Sequence, residues 1–264
     1  MAEKILFPDK PFRISTVKQT GSVMHSQHTH EEFEIYYMIS GKCSYFIEDK
    51  TYEILAGDVV IIPENIIHRT RYTSEPHTRI LIECSGDFIP SETRERLSEL
   101  YFVYRNPTVS QEILSMLKRI EKEYKTPDEY SESAIEAEMK LLIYTLARNK
   151  NAFGEADTKN SLIESVVAYI KENFHQDITL ASVARAHFVS PEHLSRTFKK
   201  ETEFGFNEYL TIVRLRYAEE RLKRRNGESI SKIAYDAGFN DSNYFSDKFK
   251  KFYGASPLRY SKEN

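Results

Sequence analysis

Two segments near the end of the chain place side chains that could read DNA bases on one face of a short helix. In the first, Leu194 and Phe198 sit four residues apart as an apolar anchor, which turns Glu192, Ser195 and Arg196 outward. In the second, Phe245 and Phe249 take the same places, and Asn243, Ser246 and Asp247 turn outward. Arg196 can offer a bidentate donor pair to guanine, Glu192 and Asp247 can accept from cytosine N4, and Asn243 suits adenine. Thr197, Lys199, Lys200, Lys248, Lys250, Lys251 and Arg259 are better placed for phosphates, which position a protein on DNA without carrying sequence. A single charged residue of this kind is ordinarily part of a solvated surface; here the whole pattern occurs twice.

The elements that must position these residues are also written twice. LASVARAHFVSPEHLSRTFKK and ISKIAYDAGFNDSNYFSDKFKK each read as a short apolar-periodic helix, a tight turn and a second helix ending in Phe-Lys-Lys, the outline of a helix-turn-helix. Thr179 and Ser229 are predicted to cap the leading helices, and Ser190 followed by Pro191 opens the first reading helix. A long charged helix from about 207 to 224 joins the two units, burying Tyr209, Leu210, Val213, Leu215, Ala218 and Leu222. The second turn, carrying Gly238, is one residue longer than the first. Residues 161–264 are therefore predicted to be an all-α domain.

Charge agrees with this division. Residues 160–264 carry 17 Lys and Arg against 14 Asp and Glu, a net +3, whereas the first 159 carry 20 against 26, a net −6. The basic part suits phosphates and the acidic part would repel them. Cys43 and Cys84 form no dense framework, the first twenty residues lack the apolar run of a signal peptide, and no stretch approaches 18 apolar residues. A cytoplasmic protein with no membrane partner is the expectation.

Residues 160–261 resemble the DNA-binding domain of the AraC/XylS family of bacterial transcription regulators. The resemblance rests on Ile233-Ala234, Ala237-Gly238-Phe239, Tyr244-Phe245-Ser246, Phe249-Lys250-Lys251, Gly254, Ser256-Pro257 and Tyr260. It implies two helix-turn-helix units entering successive major grooves of double-stranded promoter DNA; RNA polymerase and a second copy of the chain are candidate further partners, with a monomer as the alternative. There are two departures from the family pattern. Glu203 stands where a Gly usually follows the first reading helix, with Gly205 two residues on, which would displace that turn. Asp247 stands where Arg is frequent, which implies a different base pattern or less affinity from the second unit.

The first 150 residues follow a different rhythm. From about 10 to 88, period-two stretches such as EFEIYYMIS, KCSYFIED, DVVIIP and HTRILIEC alternate with Gly, Asp, Asn and Pro, as in a small antiparallel sandwich or barrel. Helices follow at 91–100, 110–124 and 131–150, and the polar stretch 151–160 reads as a linker. The apolar stripe Ile135, Met139, Leu142, Ile143 and Leu146 would either pair two subunits or pack on its own domain. Gly21, His28, His30, Glu34, Gly41, Gly57, Pro63 and His68 resemble the two motifs of cupins, with Asn65 in place of a glycine. The fold class expected is thus α+β: a cupin-like antiparallel β-barrel followed by helices, then the helical DNA-binding domain.

That second resemblance implies that His28, His30, Glu34 and His68 converge on one point. Three imidazoles and a carboxylate suit a divalent metal such as Fe, Mn, Ni, Co or Zn. A metal-free pocket binding a small effector such as a carbohydrate, lined also by Tyr36, Tyr45, Tyr72 and Arg79, and a polar rim with no ligand are the other readings. The expected function is a DNA-binding regulator controlled by a small molecule in the first domain. A metal-dependent cupin enzyme and an architectural DNA-binding protein with a vestigial barrel are the alternatives.

Overall fold

The computed structural model describes residues 6–19, 32–72, 76–98, 102–105, 107–149, 161–224 and 227–263. The chain divides into two compact units, Met1–Thr158 and Lys159–Asn264. The stretch read as a linker, 151–160, lies outside the described residues, as do Gly21, His28 and His30.

In the first unit, strands β1 (Phe12–Gln19), β7 (His77–Cys84), β2 (Phe33–Ser40), β5 (Val59–Ile62) and β8 (Phe102–Tyr104) form one antiparallel sheet, in that order. A second sheet has the order β4 (Lys50–Leu55), β3 (Lys42–Ile47), β6 (His68–Tyr72). Neither sheet closes on itself, which overturns the expected cupin barrel. Among the described residues β1 pairs with β7 alone and β6 with β3 alone, so each sheet keeps its edges. Period-two spacing fixes which face a side chain takes but not which edge strand it meets, so sandwich and barrel read alike in sequence.

Helices α1 (Ser91–Ser98), α2 (Pro107–Lys125) and α3 (Ser131–Arg148) complete the unit. β2 is its centre, buried from Phe33 to Met38 on both faces, as its unbroken apolar run requires. Ile35 and Tyr37 join the core shared with α2 and α3, where Ile113, Leu117, Ile120, Ile135, Met139 and Leu142 are fully buried. Tyr36 and Met38 turn the other way, into a cluster with Cys43, Tyr45 and Ile47 of β3 and Tyr72 of β6. Each such side chain contributes about 1.5–3 kcal/mol on burial. The stripe on α3 therefore packs on its own unit rather than on a second subunit. Polar contacts fix α2 to the sheet: Tyr37 and Ser110 hydroxyls lie 2.9 Å apart, and Ser110 donates to the Gly57 carbonyl. Arg105 grips the buried Asp58 carboxylate through Nε and Nη2.

Among the described residues the second unit is built of helices: α4 (Ser161–Asn173), α5 (Leu180–Ala186), α6 (Pro191–Thr202), α7 (Phe206–Lys223), α8 (Ile230–Asp236), α9 (Ser242–Tyr253) and α10 (Pro257–Glu263). Side-chain caps start the short helices: Thr179 accepts from Ser182 N, Ser190 from His193 N, Ser229 from Lys232 N and Asp241 from Tyr244 N. α7 serves both helix-turn-helix units. Its first half meets Phe198 through Phe206 and Tyr209, and its second half gives Leu215, Ala218 and Leu222 to the cluster around Phe239, Phe245 and Phe249. Ile212 is buried where Val213 was expected, because that face turns between the two clusters.

Both turns use a left-handed residue at the same place, four positions after a buried alanine. In the second helix-turn-helix it is Gly238 at φ +86°; in the first helix-turn-helix it is Phe188 at φ +57°, whose side chain is 97% exposed. The backbone bonds match, Val189 N to Ala184 O and Phe239 N to Ala234 O, each 3.0 Å. The second turn then runs one residue further before its cap, Asp241 against Ser190.

The expected displacement at Glu203 does not occur. Glu203 itself takes the left-handed position that ends α6 (φ +63°), just as Gly254 (φ +76°) ends α9, and its amide donates to Lys199 O. A side chain there costs about 1–2 kcal/mol relative to glycine. Glu203→Gly is accordingly expected to raise the stability of the second unit by about 1 kcal/mol, read as a higher denaturation midpoint with unchanged m-value.

Candidate DNA-reading face and effector cavity

On α6, Leu194 and Phe198 are fully buried and hold the helix down, while Glu192, Ser195 and Arg196 are exposed. On α9, Phe245 and Phe249 do the same, leaving Asn243 and Asp247 exposed. Ser246 is half-buried and spends its hydroxyl on the Ser242 carbonyl at 2.8 Å. Of the residues expected at phosphates, Lys200, Lys250, Lys251 and Arg259 are exposed, Thr197 is half-buried, and Lys199 donates to the Glu203 carbonyl. Lys248 lies 5.2 Å from the centroid of Tyr244, a cation–π contact. Sequence reasoning missed His193 and Tyr244, both exposed and at equivalent places on the two helices. Their position, one residue before each buried anchor, is the signal that would have found them.

In the first unit a cavity of about 290 Å3 opens between the sheets. The structure brings Glu34 and Tyr36 of β2, Tyr45 of β3, His68 and Tyr72 of β6 and Arg79 of β7 to its wall. Each strand contributes alternate residues, so Thr70, Leu81 and Glu83 line it too and were reachable by counting in twos from Tyr72 and Arg79. Ser15 and Val17 of β1 also line it; nothing in the sequence marks them, because the partner of β1 is not legible there.

The polar groups of this wall are organised in pairs. Tyr45 donates its hydroxyl to the Glu34 carboxylate, and His68 Nε2 lies 3.6 Å from the other Glu34 oxygen. His68 Nδ1 meets the Ile66 carbonyl at 2.8 Å. Burial and the neighbouring Glu34 carboxylate push the Tyr45 phenol well above its ordinary value, and burial first, then Cys43, does the same for Tyr36, so both stay protonated. Burial likewise pushes the Cys43 thiol up to about 12. Tyr72 meets two planar groups, the His77 ring stacked at 4.2 Å and the Arg79 guanidinium at 4.9 Å from its centroid.

The metal expectation fails. Among the described residues no three His, Cys, Asp or Glu side chains are grouped to hold an ion. Of the four residues expected to converge, Glu34 and His68 are near each other but engaged with Tyr45 and Ile66, and His28 and His30 lie outside the described residues. Among the described residues the donors do not fit a metal, and a metal-dependent enzyme loses its basis there.

A model described as an AraC-like ligand binding domain matches residues 12–146, and one described as a helix-turn-helix domain matches residues 183–263. The chain belongs to the AraC family. Among its relatives, the HTH-type transcriptional activator RhaR of Mannheimia succiniciproducens is 25% identical over 242 residues, 88% of this chain and 86% of that protein. The Msm operon regulatory protein of Streptococcus mutans is 26% identical over 242 residues, 88% and 85% of the two chains. The Escherichia coli regulator YijO is 38% identical over 108 residues, 41% of this chain and 38% of that protein. This AraC-family chain is a sequence-specific DNA-binding transcription regulator that responds to a small effector, and not an enzyme. Among the described residues no helix is long and apolar enough to cross a membrane.

Proposed function

We propose that α6 and α9 enter successive major grooves of promoter DNA and that the cavity of the first unit holds the effector controlling them. The observation that carries this reading is the repeated arrangement on the two helices: buried Leu194 and Phe198, or Phe245 and Phe249, beneath exposed side chains able to pair with base edges. Glu192, Ser195 and Arg196 read bases in one groove and Asn243 and Asp247 in the next, with Ser246 in a supporting place. The exposed lysines, Thr197 and Arg259 meet phosphates. Such a protein works in the cytoplasm, beside RNA polymerase at its promoter.

The effector is a hydroxyl-rich molecule of about monosaccharide size. Ligand pockets run from about 300 to 1,000 Å3, so this cavity sits at their small end, and its phenol, carboxylate, imidazole and hydroxyl groups suit a carbohydrate. β2 supplies the route outward. Glu34 and Tyr36 face the cavity, while Ile35 and Tyr37 on the same strand pack against α2 and α3. A ligand that moves β2 therefore moves helices, and a preference of about 1–3 kcal/mol for one state is enough to switch the protein.

Selection of bound sequences from a random DNA pool by the full-length chain, with and without a panel of sugars, tests the reading. The expected result is an enriched site with two base blocks a helical turn apart, repeated if the chain is dimeric, and a change in recovery with an active sugar. No enrichment under any condition overturns it.

A further inference from the structure

The cavity is polarised along its length. In the pairing of β2 with β7, Glu34 lies opposite Glu83, Tyr36 opposite Leu81 and Met38 opposite Arg79. In the pairing of β3 with β6, Ile47 lies opposite His68, Tyr45 opposite Thr70 and Cys43 opposite Tyr72. The two sheets run in matching sense across the cavity, because His68 meets Glu34 at 3.6 Å at one end and Tyr72 meets Arg79 at 4.9 Å at the other. Each pair of ends is four residues apart, about 13 Å along a strand. One end thus holds Glu34, Glu83 and His68; the other holds Arg79 against Tyr72 and, at 5.9 Å, Tyr36.

We infer that the effector is a sugar acid, a polyhydroxy compound with one carboxylate, bound with that carboxylate toward Arg79 and its hydroxyls toward Glu34 and His68. This rests on the reading of the cavity as the effector site. Arg79 carries the only permanent positive charge among the described lining residues. Its Cζ lies 4.9 Å from the Tyr72 centroid and 5.9 Å from the Tyr36 centroid, which places at this end a guanidinium, the side chain whose fork can meet a carboxylate with two parallel bonds. At the far end the carboxylates already have cationic or donor neighbours: Glu34 has His68 and Tyr45, and Glu83 has Arg13 at 3.5 Å. That end consequently favours neutral hydroxyls over an ammonium group. Tyr36 and Tyr45 between the ends offer apolar ring surface of the kind that packs against sugar C–H faces.

The test is titration of the full-length protein by calorimetry with galacturonate, glucuronate and gluconate beside galactose, glucose and glutamate. At least one sugar acid is expected to bind about tenfold or more tightly than its neutral counterpart. Arg79→Gln should remove that preference and Arg79→Lys should retain part of it. If Arg79→Gln does not fold, salt titration of the unmodified protein carries the test: the advantage of the acid over the neutral sugar should shrink as ionic strength rises. Equal or tighter binding of the neutral sugar, with loss on Tyr72→Ala, overturns the inference and leaves the cavity reading standing. Binding of glutamate in preference to every sugar acid overturns it as well. Binding of none of these compounds overturns both.

Discussion

Gly238→Ala is expected to destabilise the second unit by about 3 kcal/mol and to remove high-affinity DNA binding. Two costs add. The residue sits at φ +86°, where a side chain costs about 1–2 kcal/mol. A Cβ there would also stand 2.5 Å from the Phe174 carbonyl oxygen and 2.9 Å from Arg214 Nε. Neither neighbour can yield cheaply. Arg214 donates from Nε to Phe174 O and from Nη2 to Gln176 O, both at 2.8 Å, so one guanidinium ties the end of α4 to α7 across this spot. Overpacking of this kind costs about 1–3 kcal/mol. Against a typical total of about 5–15 kcal/mol, the loss is large. Denaturant unfolding of the full chain, followed by a probe in the second unit, checks it; a shift below about 1 kcal/mol would show that α4 can move aside freely.

The same position shows what the sequence could and could not convey. Gly238 announces its turn by residue type, and Thr179, Ser190 and Ser229 were legible as caps. Phe188 occupies the equivalent left-handed place in the first helix-turn-helix, where an aromatic residue gives no such sign, and Glu203 does the same at the end of α6. Hydrogen bonds and packing of the whole unit decide these backbone angles, and local propensity does not. In the domain Met1–Thr158, alternation placed some of Tyr36, Tyr45, Tyr72 and Arg79 inward without saying which, and all four reach the cavity wall. It could not tell which edges pair. For that reason the barrel, and the metal site that a barrel would assemble, went beyond what period two can carry. The short strand β8 was missed because three residues between helices make no pattern.

Arg196→Ala is expected to cost about 1–3 kcal/mol of DNA affinity, concentrated on one base pair of the site. The concentration follows from how the side chain is presented. Ser190 and Pro191 fix the start of α6, Leu194 and Phe198 fix its rotation, and Arg196 projects from the exposed face between those anchors. A guanidinium held in this way would meet guanine O6 and N7 together, and losing it would leave those acceptors unread with the proposed phosphate contacts in place. The contrast is Lys200→Ala, an exposed change on the same helix, which should weaken all sequences alike and lower the salt dependence by about one counterion. Competition binding against a set of single-base variants separates the two. If Arg196→Ala lowered affinity uniformly across that set, Arg196 would be a phosphate contact, and the reading of α6 would rest on Glu192 and Ser195.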